Sequence, residues 1–223
     1  MSRIYIPALQ PDDWKRFLAD EGHWRTGFSA RTLAYSWQEV DSFPSEVAKV
    51  LAPAFPDVEL LLALPEHKVP LPGGSRQSQN DLWVLARSQG HNISIAVEGK
   101  VSEPFGPTVA DWQKEGSKGK TERLDFLLDL LGIAAPIDGG IRYQLLHRTA
   151  SAIIEARRFG APHAVMLVHS FSESGEWFDD LAAFARLLGV PSLLKDTFSS
   201  VGIRGGVSLN IAWVSGNTNY LSK

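Results

Sequence analysis

Between Val58 and Val101 the apolar residues fall in short dense runs parted by turn-forming residues. Val58–Leu64, continuing toward Leu71, then Asp81–Ser88 and Ile93–Val101 each have the length of a strand. Pro72-Gly73-Gly74-Ser75 separates the first two, and Gln89-Gly90-His91-Asn92 the last two, so three consecutive strands are predicted. Before them the pattern predicts helices over Pro11–Asp20, Ala30–Gln38 and Ser45–Ala52, the last bounded by Pro44 and Pro53. After Pro107 the period turns helical, over 108–114, Thr121–Leu131 and 141–158, with Gly132 ending the second. A strand at Ala164–Ser170, a helix at 176–188 and a last strand at Val207–Val214 complete the chain. Three strands, a helical crossover and a further strand predict an α/β (α+β) protein with a mixed central sheet flanked by helices. We expect one domain over 1–223, with 1–28 as an N-terminal helical extension.

On a helical wheel the 141–158 segment divides its residues. Gln144, Arg148, Ser151 and Glu155 share one side with His147 on its flank, and Leu145, Leu146, Thr149, Ala150, Ile153 and Ala156 take the other. The polar stripe reads either as the lining of a groove or as an ordinary solvated face.

Strand alternation carries the candidate chemistry. It puts Ser94, Ala96, Glu98 and Lys100 on one face and Ile93, Ile95, Val97, Gly99 and Val101 on the other. With a four-residue turn at 89–92, Asp81 lies opposite Lys100 and Trp83 opposite Glu98, so Asp81, Glu98 and Lys100 project together. Two carboxylates beside an ammonium suit a hard divalent cation, Mg²⁺ or Mn²⁺, which keeps waters for exchange and neutralises a phosphoryl group.

At these residues the sequence resembles the PD-(D/E)XK nuclease-like superfamily, through Asp81 and Glu98-Gly99-Lys100 set in a helix–three strands–helix–strand order over roughly 30–170. The resemblance implies a restriction-endonuclease-like core, Asp81 and Glu98 as Mg²⁺ ligands, and Lys100 serving the attacking water or the phosphate. It also implies an acid from the first core helices, where Glu39 and Glu46 are at hand, and a polar helical residue beside the site, Gln144 or Arg148. Asn80 stands where the superfamily often has proline. The segments Val97–Gly106 and Tyr143–Arg148 also resemble a bacterial family of uncharacterised function. Glu103, just past the motif strand, either extends the acidic site or caps a neighbouring segment. His163 and His169, with His147, are candidate metal ligands, although histidines at strand ends more often serve structure.

Composition limits the alternatives. The chain has no cysteine, which excludes thiolate metal sites, disulfides and cysteine nucleophiles and fits a reducing, cytoplasmic setting. No apolar run approaches the ~20 residues of a membrane span. With 22 basic and 25 acidic residues the net charge is −3, against coating nucleic acid by bulk charge. Local excesses remain at 114–123 (Lys114, Lys118, Lys120 and Arg123 against two glutamates) and at 142–158 (four arginines against one glutamate), as candidate phosphate contacts. The leading expectation is a metal-dependent phosphodiesterase acting on DNA or RNA. The alternatives are a non-catalytic interaction protein, its seven tryptophans serving a homo-oligomeric or partner interface, and a small-molecule hydrolase using the same acidic face.

Overall fold

The computed structural model describes residues 8–223. Helices α1 (Ser29–Gln38) and α2 (Ser45–Leu51) precede strands β1 (Glu59–Val69), β2 (Ser78–Ser88) and β3 (His91–Lys100). Then come α3 (Val109–Gln113), α4 (Lys118–Leu131), α5 (Tyr143–Arg158), β4 (His163–Ser170), α6 (Phe178–Leu187), β5 (Thr197–Arg204) and β6 (Val207–Ser215). The strands make one six-stranded mixed sheet in the order β1-β2-β3-β4-β6-β5. β3, β4 and β6 run parallel, while β1, β2 and β5 pair antiparallel to their neighbours. The expected mixed α/β architecture is what the chain adopts.

Helices cover both faces. On one, α4, α5 and α6 pack over Ala96, Met166, Val168, Ile211 and Trp213. On the other, α1, α2 and the segment before them pack over Ile95, Val97, Val165, Leu167 and Val214. The central strand β3 is therefore buried on both sides, as parallel pairing with crossover helices requires. Among the described residues no helix is long and apolar enough to cross a membrane.

Several expectations need correction. The β2–β3 turn has two residues, Gln89 and Gly90, both at positive φ (48° and 82°), the backbone that a tight right-twisted hairpin needs. His91 and Asn92 join the strand, so Trp83 pairs with Ala96 and not with Glu98. The slip is two residues, and an even slip keeps every side chain on its predicted face. The short helix expected over 11–20 is a 3-10 helix ending at Phe17. β5 was not predicted at all, its sequence Thr-Phe-Ser-Ser-Val-Gly-Ile-Arg having apolar residues without strict alternation and a bulge between Ser200 and Gly202.

The polar side of α5 is no solvated face. Arg148 is 7% exposed, and Ser151 and Glu155 are fully buried. The helix is held by charge on one side and by Leu145, Ile153 and Ala156 on the other.

Candidate functional site

Glu98 and Lys100 alternate on β3 and so share the face beneath α5. Leu82 pairs with Val97, which sets Asp81 next to Glu98 along the ladder. The Gly99 backbone N–H donates to Asp81 Oδ2 at 2.9 Å and fixes that carboxylate against β3. On β1, the pairs Pro65–Leu82 and His67–Asn80 bracket Glu66, placing it beside Asp81. Three carboxylates, Glu66, Asp81 and Glu98, thus stand in a row across three strands.

Two cations answer them. Lys100 Nζ lies 2.7 Å from Glu98 Oε1, and Arg148, reaching down from α5, places Nε 2.7 Å from Glu98 Oε2. Arg148 Nη2 is also 3.6 Å from Asp81 Oδ1. Each Glu98 oxygen therefore has its own cation in a nearly dry setting, with the Glu98 and Lys100 side chains 2% and 4% exposed. Lys100 Nζ also sits 4.8 Å from the Phe105 ring centroid.

The charges are unequal, and the acids show it. Burial pushes the Glu98 carboxyl upward, but Lys100 and Arg148 overcome burial and bring it down to about 2. Asp81 goes the other way, to about 7, through burial first and the Glu98 charge second. Glu66 rises to about 8 through burial and the nearby Asp81, against a hydrogen bond from Gln79 Nε2 at 2.7 Å. At neutral pH the Glu66–Asp81 pair thus retains a proton that the unfolded chain has lost. Its contribution to stability is fully present below about pH 4 and is lost as pH rises through 7 to 8. Glu98 acts oppositely, its contribution being lost as pH falls from about 4 toward 2. Urea unfolding across pH 4–8 should show a decline of roughly 4–5 kcal/mol for one proton retained over that span, shallower but still present in Glu66→Gln because burial and Glu98 keep Asp81 raised. An equal slope in that variant would place the retained proton elsewhere.

In front of these groups lies a cavity of about 470 Å³. Gln144, on α5, lines it, and its Oε1 is buried with no hydrogen-bond partner. Such an unpaired acceptor is costly and is satisfied by a ligand donor, a water or a cation.

The other predicted residues divide. Glu103 lines the cavity, but its oxygens accept from the N–H groups of Ser29 (2.9 Å), Val101 (3.2 Å) and Ser102 (3.0 Å), capping α1. Burial opposes the Glu103 charge, and the Ser29 hydrogen bond prevails, lowering its pKa. Glu46 is not in the site: it lies across the sheet, 3.2 Å from His169 Nε2. Glu39 is on the same far side, 3.7 Å from Lys223 Nζ. His147 is half-buried, its Nδ1 lies 2.8 Å from Ser78 Oγ, and desolvation with the neighbouring Arg148 charge holds its pKa well below the usual histidine range. His169 accepts from Trp37 Nε1 at 3.1 Å, and His163 packs on Phe55, so the three histidines do not meet. Most of the expected phosphate-binding cations are also engaged. Arg142 pairs with Asp180, Arg123 holds the Pro72 and Gly74 carbonyls, and Lys120 holds the Trp112 carbonyl.

Glu66 is the acid that sequence reasoning missed. The predicted continuation of the first strand toward Leu71 contained the signal, but Pro65 and the bulge between Leu60 and Leu62 hide its parity.

Whether these residues suit Mg²⁺ or Mn²⁺ rests on donor chemistry and charge. Among the described residues no group of three or more His, Cys, Asp or Glu is arranged to hold a metal ion. The Arg148 guanidinium occupies the place between Asp81 and Glu98. The donors are nonetheless hard oxygens, and the unpaired Gln144 oxygen lines the same cavity, so the set would suit a hard dication that took the place of both the retained proton and the Arg148 guanidinium, leaving three carboxylates against Lys100.

A family model described as Domain of unknown function (DUF6946) matches residues 7–218. No curated protein and no solved structure matches the chain. With nearly its whole length covered, the chain belongs to the DUF6946 family.

Proposed function

We propose that the protein is a Mg²⁺- or Mn²⁺-dependent phosphodiester hydrolase of the PD-(D/E)XK nuclease-like kind, acting on DNA or RNA. The observation that carries this is Asp81 beside Glu98-x-Lys100 on the β2–β3 hairpin, at the floor of a cavity. The order α1, β1–β2–β3, α5, β4, with β3 and β4 parallel, supports the same reading.

Asp81 and Glu98 would hold the ion, with Glu66 as a neighbouring acid. The ion would supply charge neutralisation at the phosphoryl group and a more acidic bound water. The chain's own groups do the rest. Lys100 Nζ, a buried donor beside Glu98, orients the attacking water or a phosphoryl oxygen. Gln144 Oε1 accepts a hydrogen from the substrate or the water. In the reaction the water oxygen bonds to phosphorus and one P–O ester bond breaks. The departing oxygen keeps the electron pair and takes a proton, leaving an alcohol and a phosphate monoester.

A second reading, a non-catalytic interaction protein, draws on the complete pairing of buried Glu98, since a buried ion triad can serve structure alone. The cavity and the unpaired Gln144 oxygen weigh against it. Calorimetric titration with Mn²⁺ decides between them. Wild type should take up the ion and Asp81→Asn should bind it far more weakly, whereas negligible heat from both would end the metal-dependent reading.

A further inference from the structure

The candidate site lies inside a walled pocket, which restricts what reaches it. We propose, resting on the hydrolase reading above, that the substrate enters end-on, as one nucleotide unit from the free end of a single strand or from a dinucleotide, with its base stacked on Phe28.

Four observations converge. The side chains of Glu98 and Lys100 are only 2% and 4% exposed, so the scissile phosphate must descend into the cavity and cannot pass across a surface. The cavity holds about 470 Å³, within the ~300–1,000 Å³ of small-molecule sites. A nucleotide fits, but a double helix, whose major groove alone is ~12 Å wide, does not. Leu18, Ala19, His23 and Phe28 supply part of the wall, and of these Phe28 is a large apolar side chain left 40% exposed. The Arg25 guanidinium lies 5.8 Å from its ring centroid. An aromatic ring with a cation over one face and part of its surface still exposed, lining a charged pocket, is a platform for a base. Finally, the net charge is −3, and Arg123, Arg142 and Lys120 are tied to protein groups, which removes three of the cations expected to hold a continuous backbone.

On this view a water oxygen joins the phosphorus of the terminal diester. The P–O bond to the adjoining nucleotide breaks, its electron pair staying on the departing oxygen, which takes up a proton. A mononucleotide and a shortened strand leave.

The test supplies the Mn²⁺-loaded full chain with a circular single-stranded DNA, the same DNA linearised, a thymidine dinucleotide and its abasic counterpart. The linear strand should shorten with release of mononucleotides while the circle stays intact. Cleavage of the dinucleotide with the linear strand left whole would support end-on entry and identify free dinucleotides as the source. Phe28→Ala should raise KM for the thymidine dinucleotide about 5–150-fold, the loss of one base–aromatic stack, and Phe28→Trp should restore it. The abasic dinucleotide should show no comparable rise. Cleavage of the circle as fast as the linear strand, or a KM indifferent to Phe28→Ala, overturns the proposal and leaves the metal reading standing. Mn²⁺ uptake without hydrolysis of any of the four also overturns it. Absence of both uptake and hydrolysis removes the two readings together.

Discussion

Arg148→Met should cost the metal-free protein about 3–5 kcal/mol of unfolding free energy at neutral pH, read by urea denaturation. The guanidinium touches both Glu98 and Asp81, and its side chain is 9% exposed. Without it Glu98 keeps Lys100, but Asp81 keeps the Gly99 N–H and the charge of Lys100 against two neighbouring acids. Methionine fills much the same volume, so the loss reports charge and not a cavity. Two additions identify the origin. Asp81→Asn in the same background should recover part of the loss by removing a like charge. Mn²⁺ should stabilise Arg148→Met more than wild type, because the ion takes the place the guanidinium has left and binding to the native state adds to its stability. A loss below about 1 kcal/mol, the scale of an exposed pair, would show that Arg148 is no buried counter-charge. Equal Mn²⁺ stabilisation of variant and wild type would show that its place is no cation's place.

Lys100→Met should separate binding from turnover. An ammonium cannot ligate a metal ion and repels one nearby, so Mn²⁺ affinity should persist or rise slightly. Turnover on a phosphodiester should fall about 10²–10⁴-fold, the range for losing a group that aids proton transfer or charge stabilisation. Arg148 still pairs with Glu98 in this variant, and a methionine fills most of the lysine's volume beside Phe105, so the fold should hold. Steady-state kinetics beside calorimetry give both readouts. Loss of Mn²⁺ binding with Lys100 replaced would mean that the lysine holds the site together and does not act on substrate.

The parts of this molecule legible in the sequence are those set by local periodicity. The alternation over 93–101 put Glu98 and Lys100 together and Ile95 and Val97 on the reverse face, where they are buried. The hairpin register was misplaced by two because Gln89-Gly90 alone makes the turn, and parity survived only because the error was even. Tertiary placement was not legible in the same way. A polar stripe on a helix looks the same whether it meets water or an acidic pocket, and on α5 it meets Glu98 and Asp81. Glu46 lies on a correctly predicted helix that packs against the wrong face for the site. Glu66 reaches the row of acids from an edge strand, where Pro65 is tolerated because one side of the ladder is unpaired.

The strand order has a consequence for how the chain is made on the ribosome. β3 is central in the finished sheet, yet its parallel partner β4 ends at Ser170, 70 residues after Lys100. At ~5–20 residues per second a nascent chain needs roughly 4–14 s to cover that interval. Through it the β3 edge carrying Ile93, Ile95 and Val97 stays unpaired, and until α5 is made Glu98 also lacks Arg148. An unpaired apolar edge of this kind recruits other strands. The newborn chain is thus most exposed to aggregation before α5 and β4 arrive, and a truncation between Lys100 and His163 should be captured by chaperones where the full chain is not.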